Sequence, residues 1–196
     1  MAVSDHRRKK IQAVVQARQR GIIVVLEDIH DPHNLAAILR SCDAFGIQDV
    51  YCIYEKETYV NPKKVGRASS SSANKWLDFE IFRSSAECIK VLKKKKYRII
   101  ATALSDTARS IIEMNFLQTP IALVFGNEHS GVSATIFAAA VEHLIIPMRG
   151  MVQSLNVSVT AAICLYEVTR QRMMSGKNFL LSAKEQKRLM KDFLGR

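Results

Sequence analysis

The sequence predicts an α/β fold in which a parallel sheet is covered by helices on both faces. Short, wholly apolar runs typical of buried strands alternate with longer segments whose apolar residues recur at helical spacing. Strands that are apolar on both faces are typical of parallel sheets, because the connections between such strands place helices on either side. The longest apolar runs, such as residues 22–26, are about five residues long, so no segment is predicted to span a membrane.

The first elements follow from the apolar periodicity and its interruptions. Residues 4–19 are predicted to form a basic amphipathic helix, and residues 22–26 form a fully buried strand. Residues 33–46 carry apolar side chains on one helical face, and Gly46 is a typical helix end. Residues 50–54 are the second strand.

The later elements continue the same alternation. Residues 55–74 are predicted to be a loop, which contains four consecutive serines at 69–72. Residues 76–82 alternate as a strand and residues 84–95 read as a helix. Further strands are predicted at 98–103, 121–125 and 143–146, and further helices at 132–140, 156–174 and 183–194. No repeat or linker divides this core.

The composition indicates a globular protein. The chain has 196 residues, of which 48% are hydrophobic and 24% charged, and this length suits one ordinary domain with terminal extensions. The four cysteines show no CxxC spacing, so we expect buried free thiols in a reducing compartment. The first twenty residues are polar and basic and lack the apolar centre of a signal peptide. We therefore expect a cytoplasmic protein.

The net charge of +11 is concentrated at the two ends of the chain. Residues 1–20 hold six Lys and Arg against one Asp, and residues 171–196 hold seven against two acidic residues. The 150 residues between them carry a net charge of only +1. This asymmetry favours a polyanionic partner such as RNA or DNA. The alternative is two solvated helices with ordinary basic faces.

Several enzyme classes lack their signatures in this chain. Neither GxGxxG nor GxxxxGK[ST] follows the first strand, which argues against a dinucleotide-binding dehydrogenase, a P-loop NTPase and a conventional Rossmann methyltransferase. His30 and His33, with Asp28 and Asp31, form one cluster that resembles metal ligands. A loop that caps the following helix is the better interpretation of this cluster, so no metal is expected.

Three polar stretches stand at the ends of apolar elements. They are residues 34–40 (NLAAILR), 125–131 (FGNEHSG) and 146–158 (IPMRGMVQSLNVS). Ligands of parallel α/β sheets bind beyond the carboxyl ends of the strands, and the last two stretches directly follow predicted strands. The three stretches are therefore predicted to form one composite pocket.

Arg40 has two interpretations. On its predicted helix it lies opposite the apolar face, beside Ala36, Ala37 and Ala44, which leaves room for a ligand to approach the guanidinium. Alternatively, it forms a surface pair with Asp43 of little energetic consequence.

The three stretches resemble the signature motifs of the SPOUT superfamily of RNA methyltransferases, in its TrmH (SpoU) branch. The resemblance covers essentially residues 6–175, with residues 150–158 nearly verbatim. It implies a SPOUT-type α/β fold with a C-terminal trefoil knot, an exception to the general absence of knots. The implied domains are a basic N-terminal helical extension at 1–20, a methyltransferase domain at 21–175 with the knot at about 121–175, and a C-terminal helical extension at 176–196.

The resemblance also implies the cofactor S-adenosyl-L-methionine, bound in the knot. Its expected binding residues are Thr102, Ala103, Leu104, Gly126, Asn127, Glu128, Ile146, Pro147, Met148, Ser154 and Leu155. Gly126 and Gly131 suit a close approach of backbone to a ligand.

The implied reaction is transfer of a methyl group to a ribose 2′-OH in RNA by a homodimer whose helix 156–174 lies in the interface. Arg40 is implied to activate the hydroxyl, with Asn34 holding it and Glu128, Ser154 and Asn156 lining the site. A guanidinium remains protonated in nearly every protein, so Arg40 acts either in an unusual environment or by orienting the hydroxyl and a phosphate.

Short terminal extensions resemble those of TrmH enzymes, which implies tRNA as partner and guanosine 18 of the D-loop as target. The expected phosphate contacts are Arg7, Arg8, Arg18, Arg20, Arg170 and Arg172. The alternatives are methylation of ribosomal RNA or of a tRNA wobble ribose, or a catalytically silent RNA-binding protein on the same scaffold.

Overall fold

The computed structural model describes residues 4–65 and 73–196, and within these ranges seven strands form one parallel sheet. The strands are β1 (Ile22–Glu27), β2 (Asp49–Ile53), β3 (Asp78–Phe82), β4 (Arg98–Thr102), β5 (Arg109–Ser110), β6 (Ile121–Phe125) and β7 (Glu142–Ile145). Their order in the sheet is β3-β2-β1-β6-β4-β7-β5. The predicted parallel sheet is confirmed. The two-residue strand β5 was not predicted, because two residues carry no periodicity.

Six helices are formed by the same described residues. They are α1 (Asp5–Ala17), α2 (Pro32–Ala44), α3 (Ser85–Lys94), α4 (Ala134–Ala139), α5 (Val157–Met174) and α6 (Ala183–Gly195). Short 3-10 turns at Ala73–Trp76 and Ile111–Glu113 complete the elements. Each predicted helix is present, with bounds that differ by a few residues at most. The serine run 69–72 lies outside the described residues.

The core has two layers, one on each face of the sheet. On one face α2 and α5 bury side chains such as Leu39 and Leu165, and on the other α3 and α4 bury Leu92 and Ile136. β1 and β6 lie adjacent at the centre and are buried along their whole lengths. All four cysteines are buried free thiols, as predicted. No helix among the described residues is long and apolar enough to cross a membrane.

The two ends of the chain pack against each other. α1 and α6 share a small apolar core that is separate from those of the sheet, made of Ile11, Val15, Leu189 and Phe193. We call this pair of helices the terminal module. The sequence predicts two separate extensions, but neither amphipathic helix exposes its apolar face, because each covers the other.

Candidate active site

A crevice of about 720 Å³ opens at the carboxyl ends of the strands. Its walls come from the segments that follow β4, β6 and β7 and from the start of α5. Of the described residues predicted to bind a cofactor, all but Pro147 line it. The predicted lining residues are Thr102, Ala103, Leu104, Gly126, Asn127, Glu128, Ile146, Met148, Ser154 and Leu155. The location of a pocket beyond the strand ends agrees with the sequence-based prediction.

Other residues line the same crevice without having been predicted individually. His129 and Gln153 lie within the polar stretches themselves, so their positions in the sequence could have indicated them. Phe137 of α4 and Thr160 of α5 carry no such signal, because they reach the crevice only through the packing of their helices.

A chain of side-chain hydrogen bonds joins the three polar stretches. Nδ2 of Asn34 donates to Oε1 of Glu128 at 2.8 Å, and Nδ2 of Asn156 donates to Oδ1 of Asn34 at 3.0 Å. Oδ1 of Asn156 in turn caps α5 by accepting from the backbone N–H and hydroxyl of Ser158. Three residues of the predicted composite site, Asn34, Glu128 and Asn156, therefore lie together within a single chain.

Glu128 also accepts hydrogen bonds from the backbone before α2. The N–H groups of His30 and Asp31 donate to its two carboxylate oxygens at 2.9 and 3.1 Å. Partial burial of Glu128 opposes its ionisation, but the bonds from Asn34, His30 and Asp31 outweigh that effect and lower the pKa of Glu128 below its usual value. The carboxylate is therefore held ionised at the edge of the crevice.

The loop after β6 is closed by its own backbone. The N–H of Asn127 bonds the carbonyl of Gly131 at 3.0 Å, and the N–H of Gly131 bonds the carbonyl of Asn127 at 2.9 Å. A Cβ at Gly126 would lie 2.3 Å from the backbone nitrogen of Val132, and Gly131 has φ +68°. Both glycines are thus required by the folding of the loop. Both glycines also line the crevice, so the close approach of their backbone to a ligand stays a prediction.

Two buried acidic residues at the end of β1 hold the neighbouring segments in place. Glu27 accepts from the hydroxyls of Ser85 and Ser133 and from the backbone of Ser133. Oδ1 of Asp28 accepts from three successive backbone N–H groups at residues 55–57, and its φ is +50°. Sequence reasoning missed both roles, because a carboxylate at a strand end gives no indication of its partners.

The cluster of His30, His33, Asp28 and Asp31 is a capping loop, as predicted. Asp31 caps α2 by accepting from the N–H of His33 at 2.8 Å. Nδ1 of His30 lies 3.1 Å from Oε2 of Glu57. Within residues 4–65 and 73–196, no group of three or more His, Cys, Asp and Glu side chains is arranged to hold a metal ion.

Arg40 lies on the exposed face of α2 and is not among the described residues that line the crevice. Asp43, its alternative partner in the sequence analysis, bonds the guanidinium of Arg18 at 2.5 Å. The single chain therefore brings together Asn34, Glu128, Ser154 and Asn156 around the crevice and places Arg40 on a neighbouring surface.

The predicted RNA contacts divide into two groups. Arg7, Arg8, Arg20 and Arg170 are exposed. Arg18 and Arg172 are 0% and 3% exposed, so their prediction as phosphate contacts is corrected. Arg18 donates to the carbonyls of Asp43 and Ile47, which attaches α1 to the loop after α2. Arg172 donates to Gln19 and to the carbonyls of Arg20 and Gly21.

The fold and the crevice define an α/β protein with a small-molecule site at the carboxyl ends of its strands. The chain belongs to the SpoU rRNA Methylase family, whose model matches residues 21–166. It is 39% identical over 176 residues to the tRNA (guanosine(18)-2′-O)-methyltransferase of Thermus thermophilus, covering 88% of this chain and 87% of that one. It is 34% identical to the Escherichia coli protein of the same description, covering 92% and 79%.

A solved structure of the A. aeolicus TrmH/SpoU tRNA modifying enzyme has the same fold. It superposes with a TM-score of 0.85 at 33% sequence identity, over 97% of this chain and 96% of that one. The similarity thus extends beyond the family domain into the terminal module.

Proposed function

We propose that this protein is an S-adenosyl-L-methionine-dependent enzyme that methylates the ribose 2′-OH of guanosine 18 in tRNA. The observation that supports this most directly is the chain of hydrogen bonds from Glu128 through Asn34 to Asn156 at the crevice. The similarity to two proteins described as tRNA (guanosine(18)-2′-O)-methyltransferases supports the choice of substrate.

The crevice suits the proposed cofactor. Its volume of about 720 Å³ lies within the range of small-molecule sites. Its walls combine apolar side chains such as Leu104 and Phe137 with the backbone of the strand ends and the Glu128 carboxylate. Apolar walls suit a planar base, and a carboxylate suits a positively charged group such as the ammonium or the sulfonium of the cofactor. When bound, S-adenosyl-L-methionine supplies an activated methyl group.

The three hydrogen-bonded residues Asn34, Glu128 and Asn156 position the RNA and the loops of the crevice. The ionised Glu128 holds Asn34 and the capping loop, and Asn34 holds Asn156 at the start of α5. Ser154 lies in the same wall. Preorganised polar groups of this kind need not reorganise when charge develops on the attacking oxygen, and that lowers the barrier.

We propose that Arg40 acts on the 2′-OH across a homodimer interface. The exposed faces of α2 and α5 offer an interface that combines small and apolar side chains: Ala37 and Ala44 flank Arg40, and Val159 and Tyr166 are exposed on α5. Such a surface on a packed helix is typical of an interface. Because a guanidinium stays protonated, Arg40 orients the hydroxyl and stabilises its developing negative charge.

We also propose the C-terminal trefoil knot. Its support is the membership of the SpoU family, whose motifs carry the resemblance that implies the knot. In this structure α5 packs on α2 on one side and bonds the segment after β5 on the other. Gln171 donates to the carbonyl of Met114 and accepts from the N–H of Phe116. The domain limits expected from the sequence (1–20, 21–175 and 176–196) remain part of this proposal, with the two extensions acting as one terminal module. The buried free thiols favour a cytoplasmic location.

The test is methylation of unmodified tRNA transcripts with labelled S-adenosyl-L-methionine, followed by mapping of the modified nucleotide. A transcript with a 2′-deoxyguanosine at position 18 should accept no methyl group. Because the matching family is described as rRNA methylases, a ribosomal RNA transcript is the second substrate to test. Methylation of the ribosomal transcript alone would overturn the tRNA assignment and keep the reaction.

A further inference from the structure

A second cavity, of about 760 Å³, lies at the far end of helices α2 and α5 from the crevice. Both helices begin at the crevice, where Asn34 and Asn156 are hydrogen bonded, and their last turns, at Ala44 and Met173, line this second cavity. The end of α1 and the segment between α5 and α6 form its other walls. We call it the terminal cavity, and it is bounded by Ala17, Ala44, Phe45, Met173, Phe179 and Leu180.

The walls of the terminal cavity are mostly apolar. Phe45, Phe179 and Leu180 contribute large side chains, whereas Ala17 and Ala44 are small and leave space in front of them. The volume of the cavity lies within the range of small-molecule sites, which are typically apolar with a few polar groups that orient the ligand. The terminal cavity therefore suits a ligand with an apolar body.

The wall also contains a buried cation, Arg172, which is 3% exposed. Its guanidinium donates to the side-chain oxygen of Gln19 and to the carbonyls of Arg20 and Gly21, all of which are uncharged acceptors. These bonds use three of its five N–H groups, and its Nε has no acceptor among residues 4–65 and 73–196. Burial lowers the pKa of Arg172 to about 10, so the side chain stays charged at neutral pH.

The charges around the terminal cavity are not balanced. Within the described part of the chain, no carboxylate forms an ion pair with Arg172 or with Lys177, an exposed lining residue. Arg18, the other arginine of the wall, pairs with Asp43. The lining thus holds three cations and one carboxylate, which leaves a net charge of +2. A buried cation without a counter-ion favours an anionic ligand, because nearby apolar groups screen the attraction weakly.

We propose that the terminal cavity is a second binding site, which takes a small amphipathic carboxylate. The apolar body of the ligand lies against Phe45, Phe179 and Leu180, and its carboxylate lies beside the Arg172 guanidinium. The proposal does not depend on the proposed function, since neither RNA nor the cofactor takes part in it. Ala44 also belongs to the homodimer interface proposed above, so the competing occupant is a side chain of a second copy of this chain.

The test is calorimetric titration of the full-length protein with three probes that share one alkyl chain: octanoate, octanol and octylammonium. Octanoate should bind with a dissociation constant below about 1 mM and at least about ten-fold more tightly than the other two. Naphthoate, an aromatic carboxylate, shows whether the site prefers a ring system or a flexible chain. Saturating S-adenosyl-L-methionine should leave the affinity for octanoate unchanged, because the crevice lies at the other end of α2 and α5.

Two alanines of α1 locate the site. Ala17→Phe fills the terminal cavity and should weaken binding of octanoate at least about ten-fold. Ala13→Phe is the matched control, because Ala13 is exposed on the same helix and is not among the described residues that line the cavity. Its affinity should stay within about two-fold of wild type. Both alanines are exposed, so both variants should fold, which thermal unfolding checks.

Arg172→Met tests the charge. Affinity for octanoate should fall at least about ten-fold while affinity for octanol stays within about two-fold, so the preference for the anion disappears. If Arg172→Met does not fold, the preference for octanoate in the wild-type protein and the pair of alanine variants still decide.

Three results would overturn the proposal. Absence of binding by both carboxylates would mean that the cavity is filled by a second copy or closed in solution. Equal affinity for octanoate and octanol would show that Arg172 selects nothing. Loss of octanoate binding in the presence of S-adenosyl-L-methionine, or equal effects of Ala17→Phe and Ala13→Phe, would place the ligand elsewhere. A protein that binds no S-adenosyl-L-methionine would contradict the proposed function alone, since the probes still test the terminal cavity.

Discussion

The side-chain amide of Asn156 donates to the side-chain oxygen of Asn34, which stands 122 residues earlier in the chain, at 3.0 Å. This bond fixes which way the Asn34 amide faces. Its oxygen points to Asn156 and its nitrogen to Glu128, since an ionised carboxylate can only accept. The start of α2, the loop after β6 and the start of α5 therefore depend on one another at the crevice.

Asn34→Asp tests this dependence with almost no change in shape. The substitution replaces the Nδ2 donor with a second anionic oxygen against Glu128, so the two groups repel each other. We expect turnover to fall about 100-fold or more, as for loss of a preorganised donor. Steady-state kinetics provide the measurement. Asn115→Asp is the matched control, because the Asn115 oxygen accepts from the N–H of Leu117 and Asp can still do so. Wild-type turnover in Asn34→Asp would contradict the assigned role.

Gly126→Ala should destabilise the loop after β6. The added Cβ would meet the backbone of Gly131 and Val132 at 2.3 Å, and backbone atoms cannot move aside as a flexible side chain can. We expect a loss of about 2–3 kcal/mol in the free energy of unfolding, together with weaker cofactor binding. Urea unfolding and calorimetry measure the two effects. Gly150→Ala, where a Cβ meets nothing within 4 Å, should leave stability unchanged.

Arg40→Ala should abolish methyl transfer and leave cofactor affinity within a few fold, because Arg40 lies outside the described lining of the crevice. Arg40→Lys should recover little, since an ammonium cannot reproduce the planar donor geometry of a guanidinium. Single-turnover kinetics and calorimetric titration separate the two properties. Near wild-type turnover in either variant would show that Arg40 has no part in the reaction.

Sequence reasoning predicted the crevice well because its residues follow strands directly. Once residues 121–125 are recognised as a buried strand, parallel topology places residues 126–128 beyond its carboxyl end. The same reasoning failed for Arg18 and Arg172. Their burial depends on carbonyl groups at Ile47 and Gly21, which become acceptors only after the terminal module has packed on the sheet. The sequence shows that these residues are basic but does not show what surrounds them.

Arg18→Met therefore tests a structural role. The substitution keeps much of the length of the side chain but removes its bonds to Asp43 and to the carbonyl of Ile47. We expect the free energy of unfolding to fall by about 2–4 kcal/mol, because buried acceptors lose their donor. Arg20→Met, at an exposed arginine two residues away, should change stability by less than about 0.5 kcal/mol. Equal effects of the two substitutions in urea unfolding would contradict the assignment of Arg18 as a buried attachment point.

His30 should titrate above its ordinary pKa of 6.5. The hydrogen bond to Glu57, and then the charge of Glu57, raise the pKa of His30 and outweigh the small opposing effect of burial. Because the folded-state pKa is raised, this pair stabilises the fold fully below pH 6.5, and its contribution disappears as the pH rises through the higher folded value. NMR titration of the imidazole measures the pKa. Glu57→Gln should lower it towards 6.5, whereas Glu113→Gln, an exposed residue elsewhere, should leave it unchanged. A pKa of His30 that does not respond to Glu57→Gln would show that the pair does not form in solution.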